Sequence, residues 1–455
     1  MMRWGALAAV CLLSACASVE RIELPGNVTT IEKALPPANS FTTSRPTPPA
    51  RSNTNIAADF LDLHFALESG TQLPVFTRFE TPVTVRLTGK PTPSMQSDLA
   101  RLLTRLRREA GIDIRQVSEG QANITIEAVS QRDIHRILPN AACFVVPNSS
   151  SLEEYRRDRR KAKSSWTELQ QRERLGIFIP YDVSPQEMRD CLHEELAQAL
   201  GPLNDLYHLP DSVFNDDNIH TVLTGFDMLI LRTAYAPELK TGMTREQVEA
   251  ALPGILSRLN PRGDRLPVQQ VSATPASWQK AIQKSLRPGR AKVLRIRDAR
   301  RAAKIAQQLG WTDHRNFYPY YLLGRMTQFD NPAEALRYYQ IALQFLREAQ
   351  ATELHQAHLT AQLSAYALAE GKGPENLPHL DIAIDRMVQA ENAAQLATLL
   401  LLKSEALLQE GRILEASAVR LDSIRWARYG FGTDVVVQSL VESRAARSAG
   451  NNIGG

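Results

Sequence analysis

The hydrophobic pattern changes its period along this chain. Between residues 58 and 240, short alternating runs mix with apolar residues spaced three and four apart. Val83, Val85 and Leu87 alternate as in a half-buried strand, and the run from Asn123 to Val129 reads the same way. Leu99, Leu102, Leu103 and Leu106 recur at helical spacing, and Gly111 fits the stop that follows. The apolar runs 142–146 and 177–183 are further strand candidates. From residue 319 onward the alternation is gone and paired helices remain. The pattern predicts an α+β domain over 58–240, a helical connector over 241–318, an all-α domain of helical hairpins over 319–445, and a disordered tail over 446–455.

The amino terminus carries its own signal. Arg3 precedes the apolar run Trp4–Leu13, which is too short to span a bilayer as a helix. Leu13-Ser14-Ala15-Cys16 follows directly and resembles the bacterial lipobox. That resemblance implies a signal peptide over 1–15, removal just before Cys16, and acylation of the Cys16 thiol. Several acyl chains on one residue make a stable anchor. Ala17 is not aspartate, which in such lipoproteins favours the outer membrane. The expected location is the periplasmic face of the bacterial envelope. Residues 16–57 hold Pro25, Pro36, Pro37, Pro46, Pro48 and Pro49 among Ser, Thr, Asn and Ala, and read as an extended tether.

Export meets an oxidising compartment. The chain has 4 cysteines. Cys11 leaves with the signal and Cys16 is acylated, so Cys143 and Cys191 are left to form a disulfide. No CxxC pair suggests a zinc ribbon. Hydrophobic residues make up 43% and charged residues 22%, which excludes a mainly disordered, collagenous or multi-span chain. With 53 basic and 49 acidic side chains the net charge is +4, too small to argue for nucleic acid. Two segments are locally basic. Residues 150–174 carry Arg156, Arg157, Arg159, Arg160, Lys161 and Lys163, and residues 288–304 form a basic helix. Both read as solvated faces, with an anionic surface as the alternative partner.

The most informative helix starts at Ser184-Pro185-Gln186-Glu187, a capping box with proline at the first helical position. It runs through Met188, Cys191, Leu192, Leu196 and Leu200 to Gly201. Over its second half the chain reads Glu194-Glu195-Leu-Ala-Gln198-Ala-Leu-Gly201-Pro-Leu-Asn204-Asp205.

This stretch resembles the metzincin pattern HExxHxxGxxH, in which three histidines hold zinc and a glutamate is the general base. Glu195 falls at the catalytic glutamate and Gly201 at the glycine. Glu194, Gln198 and Asn204 stand where the histidines would be. Asp211-Ser-Val-Phe214-Asn-Asp resembles the Met-turn segment with Phe214 in place of methionine, and 223–237 resembles the last helix of such domains. The resemblance implies a zincin-like frame over 58–240. The chain is also similar to an uncharacterised family of proteobacterial lipoproteins with an E-E-x-x-Q-x-x-G-x-x-N-D segment followed by S-x-F-N-D-D.

The departures weigh against zinc. Glu194, Gln198 and Asn204 offer oxygen only, whereas zinc prefers imidazole and thiolate. His193 points about 100° away from Glu194 on a helix, while His208 and His220 lie near enough in sequence to be recruited. Three readings of Glu194, Glu195 and Gln198 stay open: a polar helix face with Glu194 and Gln198 pairing, a remnant that binds a hard cation or peptide, and a working hydrolase. Asn204-Asp205 and Asn215, Asp216, Asp217 also fit turn chemistry.

The helical region contains a Leu399–Leu408, Gly411, Leu414-Glu-Ala416 phrase that resembles tetratricopeptide repeats, where small residues let paired helices approach. A fold of that kind contacts protein. The expected function is therefore a membrane-anchored binding or scaffolding lipoprotein with a non-catalytic, metallopeptidase-like domain. It would have no cofactor and no nucleic-acid partner, would be held to the membrane through Cys16, and would bind protein through its helical domain. The alternative is an atypical periplasmic metallopeptidase using Glu195, with zinc or a hard divalent cation.

Overall fold

The computed structural model describes residues 38–41, 46–215, 217, 219–349 and 352–432. Cys16 and the expected signal peptide lie outside them, as does the expected tail. The chain divides into two compact units. One is built from Pro46–Val183 and Glu187–Thr274, the other from Pro275 onward with Ser184–Gln186 and the start of the chain.

The first unit is α/β. Its elements are α1 (Asn53–Phe65), β1 (Val83–Gly89), α2 (Pro93–Glu109), β2 (Ile114–Gln116), β3 (Ile124–Val129), α3 (Gln131–Ile137), β4 (Phe144–Pro147), α4 (Leu152–Asp158), β5 (Leu175–Pro180), α5 (Pro185–Leu200), α6 (Gly225–Ala234) and α7 (Arg245–Leu259). The five strands form one sheet in the order β2-β1-β3-β5-β4. Four run parallel, with Val83 opposite Ile114, Val85 opposite Ile124 and Ile126 opposite Ile177. The margin strand β4 is antiparallel to β5, with Val145 opposite Ile177. Parallel strands are covered on both faces, and β5 is accordingly buried along its whole length, whereas β3 keeps the alternation of Thr125 and Glu127 with its apolar residues.

Local chemistry sets the helix ends. The Thr92 hydroxyl accepts from Met95 N at the start of α2, where Pro93 occupies the first turn. Leu99, Leu102, Leu103 and Leu106 then face the core and are at most 2% exposed. Each such leucine contributes about 2 kcal/mol by burial. They share that core with Val83, Val85, Ile124, Ile126 and Ile177 of the sheet and Leu192 and Leu196 of α5.

Several expected boundaries move. The segment 75–87 yields one strand, β1, and Phe76 and Phe79 ahead of it are buried in loop backbone. The α/β unit begins before residue 58, because α1 starts at Asn53 and buries Ile56 and Phe60. It continues past 240, because α7 packs on α1. Asn53 Nδ2 donates to Asn260 O at 3.0 Å, which joins the start of α1 to the end of α7. The expected connector 241–318 is therefore split, its first part belonging to this unit and its second to the other.

The described part of the expected tether also packs. Phe41 stacks on Trp426 with ring centroids 4.4 Å apart, and Asn39 N donates to Arg425 O. An isolated aromatic in a proline-rich stretch was enough to dock it. Further on, the Arg51 guanidinium pairs with Asp59 and with Asp211.

Among its described residues the second unit is built from helices: α8 (Ala276–Leu286), α9 (Lys292–Gln308), α10 (His314–Thr327), α11 (Pro332–Glu348), α12 (Glu353–Ala369), α13 (Leu377–Gln389), α14 (Ala393–Gln409) and α15 (Ile413–Phe431). Consecutive helices pack in pairs, α8 with α9, α10 with α11, α12 with α13 and α14 with α15. Gly324 shows why a small residue is needed: a Cβ there would lie 2.4 Å from the ring of Tyr339, so α10 and α11 close only over glycine.

Candidate functional site

The site is built around α5 and the loop 201–224. Leu192, Leu196, Ala197, Ala199 and Leu200 anchor the helix in the core. Glu194 and Gln198 are half-buried one turn apart, while Glu195 is only 4% exposed. Its Oε2 has no hydrogen-bond partner among the described residues. Burial, and then the nearby carboxylate of Asp205, push the Glu195 carboxyl up to about 8. Glu195 therefore carries its proton at neutral pH.

Asn204 does not stand open. Its Nδ2 donates to Asp62 O of α1 at 3.0 Å, and its Oδ1 accepts from Asp205 N at 3.0 Å. Leu203 N also donates to Leu63 O. The position expected to supply a third ligand is a clasp that fixes the loop to α1.

The histidines are likewise occupied. His193 is buried, and its Nδ1 accepts from Leu223 N at 3.1 Å. Burial, with Arg105, Arg189 and Arg101 nearby, holds it well below the usual imidazole range. His208 Nε2 meets Asp59 Oδ1 at 2.8 Å. His220 is half-buried in the loop.

Two residues that the sequence reading did not single out shape the end of α5. Arg172 Nη1 donates to Gln198 O and Ala199 O, both at 2.7 Å, and Nη2 donates to Gly201 O at 2.5 Å. A buried cation thus takes up the open carbonyls and the negative pole of the helix. Burial lowers the Arg172 guanidinium to about 10, which leaves it charged. His64 lies on the other side. Its Nδ1 donates to Phe60 O at 2.8 Å, so Nε2 carries the lone pair. A Cβ at Gly201 would lie 2.8 Å from that Nε2, which is why glycine stands at this turn. Burial holds His64 down to about 3. A carbonyl-capping Arg far upstream has no local signature. A histidine among Phe60, Phe65 and Phe76 reads as core.

The rest of the loop is tied to α6. Thr224 and Asp227 form a capping box there, as the Thr-x-x-Asp spacing allows. Asp227 is fully buried, and its oxygens accept from Ser212 Oγ at 2.5 Å and Val213 N at 3.2 Å. Phe214 is buried in the same cluster as Leu192 and Leu196. Asn215 and Asp217 make the turn bonds their types suggested, Asn215 Nδ2 to Leu209 O and Ile219 N to Asp217 Oδ1. Asp216 lies outside the described residues.

Cys143, just ahead of β4, and Cys191 of α5 are joined, with Cα atoms 6.0 Å apart. The basic segment 156–163 is exposed around one buried acid. Asp158 holds Lys161 at 2.6 Å and Lys163 at 2.7 Å, and hydrogen bonds from these lysines keep its carboxyl well below the usual range.

The donor set does not fit zinc. Three ligand places hold oxygen side chains, one of which is spent on a backbone clasp, and His193 and His208 are engaged in hydrogen bonds. What remains chemically is a buried carboxylic acid, Glu195, beside a second carboxylate, Asp205.

Residues 53–254 match the model of a family described as a protein of unknown function, DUF2927. The match covers nearly all of the α/β unit. No curated protein and no solved structure matched the chain.

Proposed function

We propose that this chain is a lipid-anchored protein of the bacterial envelope, facing the periplasm, most naturally from the outer membrane. Its α/β unit keeps a zincin-like frame without the zinc grip. Its helical unit, tetratricopeptide-like in its paired helices, binds protein. The reading is carried by one observation: Asn204, where the third metal ligand would be, has both ends of its amide engaged, Nδ2 donating to Asp62 O of α1 and Oδ1 accepting from Asp205 N within the loop.

Other features support it. The helix that bears the metzincin-like pattern follows β5, and the strand–helix–strand order before it is compatible with the resemblance. Phe214 and the α6 helix stand in the expected order behind it. The close approach of α10 and α11 at Gly324 is the packing that repeat hairpins use.

A second reading has one observation in its favour. Glu195 is a buried acid with an unpartnered oxygen beside Asp205, and such groups serve as general acids and bases. An atypical peptidase would use it so.

Metal analysis of the purified full chain, with cleavage of an unfolded protein substrate by the parent and by Glu195→Gln, separates the two. The binding reading expects no stoichiometric zinc and no cleavage. About one zinc per chain with cleavage abolished in Glu195→Gln would replace it by the enzyme. Incorporation of labelled fatty acid, lost in Cys16→Ser, tests the anchor.

A further inference from the structure

The charge of this protein is not spread evenly. Between residues 276 and 308, ten Lys and Arg face one Asp, a net of +9, whereas the whole chain carries +4. Everything outside the α8–α9 hairpin therefore sums to −5.

The pairing of these cations is selective. Asp298 is buried and takes Arg290 at 2.7 Å and Arg297 at 3.3 Å. Lys292 is held by Asp330, and Arg300 by Glu334 and Tyr338. Lys280, Lys284 and Arg301 have no ion pair or hydrogen bond among the described residues. These three, with Ser277 and Asp298, line one cleft of about 320 Å³ between α8 and α9. Three like charges around one cleft, next to a single acid already neutralised, make a strongly anion-seeking place.

The outer face of α9 continues it. Val293, Arg297, Arg300, Arg301 and Lys304 are all exposed and recur at i, i+4, i+7, i+8 and i+11, which places them on one side of the helix. Val293 is 77% exposed, an apolar tip at the start of a basic face. Trp278 is the hairpin's one aromatic residue and is buried, so no ring is offered for stacking unpaired bases. A basic face with an exposed apolar tip fits phosphate headgroups instead.

We propose that the α8–α9 hairpin is a docking surface for an anionic lipid bilayer, with Lys280, Lys284 and Arg301 gripping lipid phosphate in their shared cleft. This goes beyond the anchoring reading and does not need Cys16. It would orient the helical unit on a membrane that the acyl chains only tether.

The test uses the full chain carrying Cys16→Ser and vesicles of phosphatidylcholine with roughly 30% phosphatidylglycerol, with phosphatidylcholine alone as control. We expect binding to the anionic vesicles that weakens steeply with salt. Lys280→Glu/Lys284→Glu/Arg301→Glu should lose at least about tenfold in affinity. The milder set Lys280→Gln/Lys284→Gln/Arg301→Gln should lose less, with melting unchanged in both because these side chains are exposed. Arg156→Glu/Arg159→Glu/Arg160→Glu in the other unit should bind as the parent does. Equal loss in that control set would overturn the proposal, since net charge alone would then explain binding. Equal affinity for neutral vesicles, or an oligonucleotide bound more tightly than the vesicles, would also overturn it.

Discussion

The guanidinium of Arg172 donates to the carbonyl oxygen of Gly201 at 2.5 Å, and so ties the approach to β5 to the end of the helix that carries Glu195. The same group takes two further carbonyls of α5. It is buried and has no acidic partner among its hydrogen bonds, so helix carbonyls and Thr77 satisfy it instead.

Replacing Arg172 with methionine should therefore destabilise the α/β unit by about 3 kcal/mol, because three buried carbonyls lose a charged donor. Denaturant unfolding measures it. A loss below about 0.5 kcal/mol would mean that water replaces the guanidinium without cost.

Gly201→Ala should cost about 2 kcal/mol. The added methyl would meet His64 Nε2 at 2.8 Å, where the imidazole is held by Phe60 and cannot swing away freely. The double variant Gly201→Ala/His64→Ala should recover part of the clash relative to the sum of the single changes.

Glu195 should make the fold weaker in alkali. Its carboxyl ionises at about 8 in the folded chain against an ordinary 4.5. The folded state thus holds a proton that the unfolded state releases. That contribution is complete below 4.5 and is lost as pH rises through 8, on the order of 5 kcal/mol. Glu195→Gln should flatten thermal stability across this window. An unchanged profile would show the acid to be better solvated than its burial implies.

His64 acts at the other end. Burial keeps it neutral down to about 3, against 6.5 when free. Its contribution is present above 6.5 and is lost as pH falls through 3, as the unfolded imidazole gains a proton the folded one refuses. His64→Leu should lower stability at pH 7 and reduce the slope of the acid limb between pH 6.5 and 3.

Cys143→Ala/Cys191→Ala removes a crosslink between positions 48 residues apart. The chain-entropy model gives about 4 kcal/mol for such a loop. The reduced parent should melt with the double variant, and a fully reduced parent that melts where the oxidised one does would contradict that figure.

What could be read from sequence was what is encoded locally. The α5 helix, the leucine stripe of α2 and the strands around Ile124 and Ile177 carry their periods in a few consecutive residues. Cys143 and Cys191 were paired by compartment and elimination, with no distance needed. The clasp of Asn204 on α1 and the guanidinium of Arg172 on α5 join segments far apart in the chain, and no period announces them. Helix α1 escaped for a different reason: it follows a proline-rich stretch whose composition hid the apolar positions Ile56 and Phe60. The charge excess of α8–α9 was visible as a basic run. Only the pairing of its neighbours shows which cations are left to meet something else.

The sheet described above ends on its two shortest strands, β2 with 3 residues and β4 with 4. Pro147 closes the second of these and brings no N–H to its ladder. Margins this short give a neighbouring molecule little backbone to zip onto. Crowded copies of the chain can therefore collide often without growing into β-aggregates, and extending either margin by a few residues is expected to remove that protection.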